Sequence, residues 1–120
     1  ALTDLVDLEI LRALLTRAHF DITQVAAYTW NPMLWNPGTA IHLLLSRDFA
    51  PLEERMANVA DRCENIPDFL EQARNTLEEM PAIHCETAIA QLAGTRALLE
   101  SLDIQPQIIQ SLDQHVEWLK

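Results

Sequence analysis

Three observations predict an all-α fold, a compact bundle of about five to six helices. Only two glycines occur in 120 residues, few for a sheet protein with tight hairpins. No run of alternating β-branched and polar residues appears. Apolar residues recur instead at three- and four-residue spacing, and prolines fall where helices begin. A chain of this length suits a single domain.

The first helix is predicted over Thr3 to His19, with Thr3 as cap and Asp4 and Asp7 at the positive end of the dipole. Leu8, Leu11, Leu14 or Leu15, and Ala18 form its expected buried face. Leu5 and Ile10 widen that face enough for more than one partner helix. Phe20 to Trp35 reads as a helical turn followed by an irregular stretch.

The organising segment is Asn31 to Ala50. An Asn precedes a Pro twice, at Asn31-Pro32 and Asn36-Pro37. Each Asn can cap free backbone N–H groups, and each Pro fixes φ without needing a donor. Met33, Leu34 and Trp35 are expected to form an apolar plug. The second pair starts a helix from Pro37 to Arg47, with Ile41, Leu44 and Leu45 inward.

Pro51 opens a third helix to Glu64, striped by Leu52, Met56, Val59 or Ala60, and Cys63. Asn65-Ile66-Pro67-Asp68 restarts the chain as an approximate capping box. The fourth helix runs to Glu79 on Phe69 or Leu70, Ala73, Leu77 and Met80. Its junction with the third is either a bend or a tight hairpin. The fifth begins between Ala82 and Glu86 and reaches Leu102. Gly94 lies in its middle at a cost of about 1 kcal/mol relative to Ala, which predicts a packing reason. The sixth runs from Pro106 to Leu119 on Ile108 or Ile109, Leu112, Val116 and Leu119. Trp118 covers a neighbour or faces a missing partner.

A net charge of −10 argues against nucleic acid, which needs a basic face, and against an anionic membrane surface. No apolar run reaches membrane-spanning length, and no basic segment opens the chain as a signal peptide would. Cys63 and Cys85 do not make a disulfide framework. They read as free thiols, compatible with the cytosol, with one bridge as the alternative. Localisation stays open, because the chain starts at Ala and reads either as an internal piece of something longer or as a processed form.

The residues of catalytic type are sparse. His84 and Glu86 are two apart and share no helical face, although both can converge if residue 84 lies in the preceding turn. A capping arrangement or surface cluster is the reading that spacing favours for them. His42 lies one turn before Ser46 and reads as a structural His. Trp30 and Trp35 with Tyr28 either pack in the core or line a pocket, where Asn31 and Asn36 would donate to a peptide carbonyl or polar ligand. Zinc needs three or four convergent ligands, and no His-Glu-x-x-His run supplies them. No phosphate loop or nucleophile elbow is present. The sequence therefore offers no catalytic residue and no metal ligand. Trp30, Asn31, Trp35, His42, His84 and Glu86 are its candidates for lining a substrate cleft.

Several ordered runs resemble one family. Trp30-Asn31-Pro32-Met33-Leu34-Trp35 is similar to an Asn-Pro-x-x-aromatic signature. Arg47-Asp48-Phe49-Ala50-Pro51 with Arg55 resembles an Arg-Asp-Phe-Ala-Pro-x-x-x-Arg pattern. Ile66-Pro67 with Phe69-Leu70, Ala73-Arg74 and Leu77, and then His84-Cys85-Glu86-Thr87-Ala88-Ile89, follow in family order, with Cys85 where the family has Thr. Leu98-Leu99 fits its later helix. These runs, across residues 20 to 102, resemble the bacterial domain of unknown function 885. The resemblance implies a parent several times longer, similar to zincin-type metallopeptidases, with its zinc-binding helix downstream. This chain would then be a helical region with no enzyme activity of its own. It would form a wall of the substrate cleft, with the remainder of the parent chain as partner, a peptide as the parent's substrate and zinc as the parent's cofactor. The alternative is a free-standing helical interaction domain that self-associates through helix one and Trp118.

Overall fold

The computed structural model describes residues 1–120 and contains six α-helices and no strand. They are α1 (Leu2–Phe20), α2 (Gly38–Ser46), α3 (Leu52–Glu64), α4 (Ile66–Thr76), α5 (Ala82–Ser101) and α6 (Pro106–Leu119). Helices α2 to α6 close one core of Ile41, Val59, Cys63, Ile66, Leu70, Ala88, Leu92, Leu99, Ile108, Leu112 and Leu119. The all-α bundle predicted from periodicity is the observed fold. Burial pushes the Cys63 thiol pKa up, so Cys63 packs as a small apolar residue. Cys85 is half-buried, and neither cysteine forms a disulfide.

Helix α1 departs from expectation. None of its residues is buried. Leu8, Leu11, Leu14 and Leu15, expected inside, are 43%, 52%, 59% and 61% exposed. The reason is visible in its sequence: Leu2, Leu5, Val6, Leu8, Ile10, Leu11, Leu14 and Leu15 surround the axis, so no single face directs it onto the bundle. The radius of gyration is 18.0 Å, against about 14 Å for a compact chain of this length. The projecting helix makes that difference. Thr3 does not cap it: the helix starts at Leu2 without a side-chain cap.

After α1, one π-helical turn (Asp21–Val25) ends at Ala26, which has φ 46°. A left-handed backbone at a residue with a Cβ costs about 1 kcal/mol or more, and it stops the helix abruptly. Short 3-10 turns follow at Ala27–Thr29 and Pro32–Trp35. The two tryptophans tie this segment to its own backbone. Trp30 Nε1 donates to the Val25 carbonyl at 2.8 Å and Trp35 Nε1 to that of Tyr28 at 2.9 Å. Of the expected plug, Met33 packs on the core, whereas Leu34 is 57% exposed.

Helices α3 and α4 form a bent, almost continuous pair, since Asn65 between them keeps helical angles. Asn65 makes no side-chain cap; its amide donates to the Asp61 carbonyl instead. Helix α4 ends at Thr76, three residues earlier than expected. Leu52, expected inward, is exposed at the first position of α3. Helices α5 and α6 are clamped by Arg96, whose guanidinium donates to both Asp113 carboxylate oxygens at 2.8 and 3.2 Å.

Candidate functional site

The two Asn-Pro pairs act as predicted at the level of hydrogen bonds. Asn31 Oδ1 accepts from the Met33 N–H at 3.1 Å, and Asn36 Oδ1 accepts from the Gly38 N–H at 2.9 Å. Asn36 does more: its Oδ1 also accepts the Thr95 hydroxyl of α5 at 2.6 Å. That bond fixes the start of α2 against the middle of α5. Gly38 lies directly over it. A Cβ built at Gly38 would stand 2.3 Å from Thr95 Oγ1, so the close approach of α2 to α5 requires glycine here.

Beside this contact lies a cleft of about 330 Å³ between α2 and α5. Asn36, Thr39, His42, Gln91 and Thr95 give it amides, hydroxyls and an imidazole, and no Asp, Glu, Lys or Arg lines it. Both glycines of the chain border it. Gly94 has no packing reason: a Cβ there would meet nothing within 4 Å. Its absent side chain leaves the α5 backbone open to the cleft, correcting the expectation of a neighbouring helix at this point. The arrangement offers neutral donors and acceptors, which suits an extended backbone or another uncharged polar group. It holds no acid–base pair.

The six candidates named from sequence do not gather in one place. His42 lines the α2–α5 cleft. His84, seven residues or about 10 Å before Gln91 along α5, stacks on Trp30 with ring centroids 5.4 Å apart. Its Nδ1 is buried without a hydrogen-bond partner. Trp35 tilts against Phe69 at 5.2 Å, and Asn31 is occupied by capping. Glu86 is exposed. No three His, Cys, Asp or Glu side chains converge to hold a metal ion. The residues present therefore do not fit a zinc site.

Sequence reasoning missed three groups. Gln91 and Thr39 carry no motif, and only the pairing of α2 with α5 brings them to one cleft. Arg55, buried at 8% exposure, donates to the carbonyls of Leu44, Leu45 and Ala50 at 3.2, 3.1 and 2.9 Å. It thus satisfies the carbonyls left free at the end of α2 and sets the loop into α3. The fixed interval from Phe49-Ala50-Pro51 to Arg55 was the available signal. His115 is fully buried between α6 and α4, 3.4 Å from Arg74 and stacked on Trp118. Desolvation first, and the Arg74 charge second, lower its pKa to about 4. A polar residue on the inward face of α6 was its sequence signal.

A comparison with curated proteins finds no match. Among solved structures, a candidate lipoprotein of unknown function from Shewanella oneidensis is similar, at a TM-score of 0.78 and 24% identity over 95% of this chain. That likeness shows the shared fold. The chain spans 24% of the length of that structure. A family model described as bacterial protein of unknown function matches residues 1–117. With the helical order and the capped Asn-Pro turns in place, that match assigns the chain to the bacterial family of unknown function DUF885.

Proposed function

We propose that this chain is a non-catalytic helical region of a longer, zincin-like zinc metallopeptidase, and that its α2–α5 cleft forms one wall of the substrate path. The observation that carries the first part is α1. Its aliphatic side chains are exposed on all sides while α2 to α6 bury their own core. A helix apolar all round belongs inside a larger structure. The uncharged cleft supports the second part. Gln91, Thr39 and His42 would pair with peptide N–H and C=O groups, and Gly94 would admit the peptide close to α5. The metallopeptidase character of the parent rests on the sequence resemblance. Its zinc and catalytic groups would come from elsewhere in the parent, and this chain would bind and orient.

Hydrogen exchange tests the assignment of α1. Its amides are expected to exchange at least a hundredfold more slowly in the full-length parent than in this chain alone. Equal rates would refute burial of α1 by the parent. Peptide hydrolysis is expected from the zinc-loaded parent and not from this chain; a parent inert towards peptides would remove the peptidase reading. The bare face of α1 favours one second reading, self-association of a free-standing domain. In that case sedimentation of the chain would show dimers that vanish when residues 1–25 are removed.

A further inference from the structure

Of the eight basic side chains, Arg12, Arg17, Arg55, Arg96 and Lys120 each face a carboxylate within 4 Å, and Arg74 contacts His115. Arg47 and Arg62 remain, with neither an ion pair nor a hydrogen bond. In a chain of net charge −10, these two guanidiniums alone have no polar partner of any kind. Both border the same depression of about 350 Å³, whose other walls are Ala40, Leu43, Leu44 and Phe49. Arg47 follows Ala40, Leu43 and Leu44 at helical spacing, and Arg62 comes from the last turn of α3. Phe49 is 61% exposed, yet its loop is held by the bonds from Arg55 to Leu44, Leu45 and Ala50. The backbone that carries the aromatic wall is therefore held on both sides. Arginines at the C-terminal ends of helices often bond the free carbonyls there; Arg47, just past the end of α2, and Arg62, in the last turn of α3, do not.

We propose that this depression binds the C-terminal end of a peptide whose last residue is apolar. The α-carboxylate would sit between Arg47 and Arg62, and the terminal side chain would lie on Leu43, Leu44 and Phe49. Guanidinium–carboxylate bonds are charge-assisted and often paired. An α-carboxylate shares its Cα with the apolar side chain, so both groups reach the site without placing peptide amides over the apolar floor. An Asp or Glu side chain would bring those amides onto it unpaired. The inference deepens the cleft-wall reading, on which it rests only for the origin of the peptide; the binding itself belongs to this chain.

The test is titration of the full chain, followed by ¹⁵N–¹H NMR, with acetyl-Ala-Ala-Leu as the free acid and as its carboxamide. The expected result is saturable shifts centred on Ala40, Leu44, Arg47, Phe49 and Arg62, with the carboxamide at least tenfold weaker. R47Q/R62Q is expected to weaken the acid at least tenfold with an unchanged circular dichroism spectrum, since both side chains are exposed. Equal binding of acid and carboxamide, shifts centred elsewhere, or no saturation by the acid at millimolar concentration would each overturn the proposal. So would equal binding of a carboxamide peptide carrying an internal Glu. Loss of this site leaves the α1 exchange test untouched, so the two readings fail separately.

Discussion

Acidification from pH 7 to pH 5 should destabilise the bundle through His115 alone by about 2 kcal/mol. The folded-state pKa is about 4, below the unfolded value of about 6.5. In that window the unfolded chain binds the proton and the folded chain refuses it, so stability falls as pH falls. The contribution is intact above pH 6.5 and is lost progressively as pH drops towards 4. At about 1.4 kcal/mol per pH unit, the full loss is roughly 3 kcal/mol, a large share of the roughly 5–15 kcal/mol that holds a domain together. The cause is structural: the ring is fully buried, its Nε2 has no acceptor, and protonation would put a cation 3.4 Å from Arg74. Carboxylates titrate in the lower part of this range, so the measurement is a difference. Urea unfolding followed at 222 nm would be run on the unsubstituted 120-residue chain and on H115F at pH 7 and pH 5. H115F retains a ring for Trp118 to stack on. The stability gap between the two proteins should shift by about 2 kcal/mol between the two pH values, in favour of the variant at low pH. Parallel pH profiles would refute the account of a neutral, desolvated imidazole.

Further perturbations follow from particular contacts. G38A should destabilise by about 2–3 kcal/mol through overpacking on Thr95, and T95A should recover part of that loss when the two are combined. Independent, additive effects in denaturant unfolding would argue against the close approach. G94A should stabilise by up to about 1 kcal/mol, because its Cβ meets nothing within 4 Å. Thermal unfolding reads this, and destabilisation would mean that the space is already filled. R55M should cost about 3 kcal/mol or more by leaving three carbonyls at the α2–α3 junction without their charged donor. An unchanged urea midpoint would show that water replaces the guanidinium there.

Helices α2 to α6 were legible in the sequence because each has an apolar stripe and a Pro or Asn-Pro boundary. Ile41 and Leu112 could be placed inside from spacing alone, and spacing narrowed the inward residue of α4 to Phe69 or Leu70. Helix α1 was misread for a physical reason: apolar content says that a helix will be buried, but not by what. Here its covering surface is not among α2 to α6. The cleft was only half legible. His42 and Asn36 stood beside a recognisable turn, whereas Gln91 and Gly94 had no local signal and required the packing of α2 on α5. His115 was hidden because a His at an inward position looks like any polar interruption of a stripe. Arg55 shows the converse: the sequence displayed the interval, and only the three carbonyls explain it.

The left-handed Ala26 has an outcome for how the molecule melts. A 19-residue helix detached from any support is marginal in water, and the abrupt stop at Ala26 separates it from the cooperative unit that begins at the tryptophans. Warming the isolated chain should therefore erode part of the 222 nm ellipticity gradually, well before the tryptophan fluorescence changes in a single step. A protease would find its first cuts between residues 2 and 25 and leave a trimmed domain whose midpoint is unaltered.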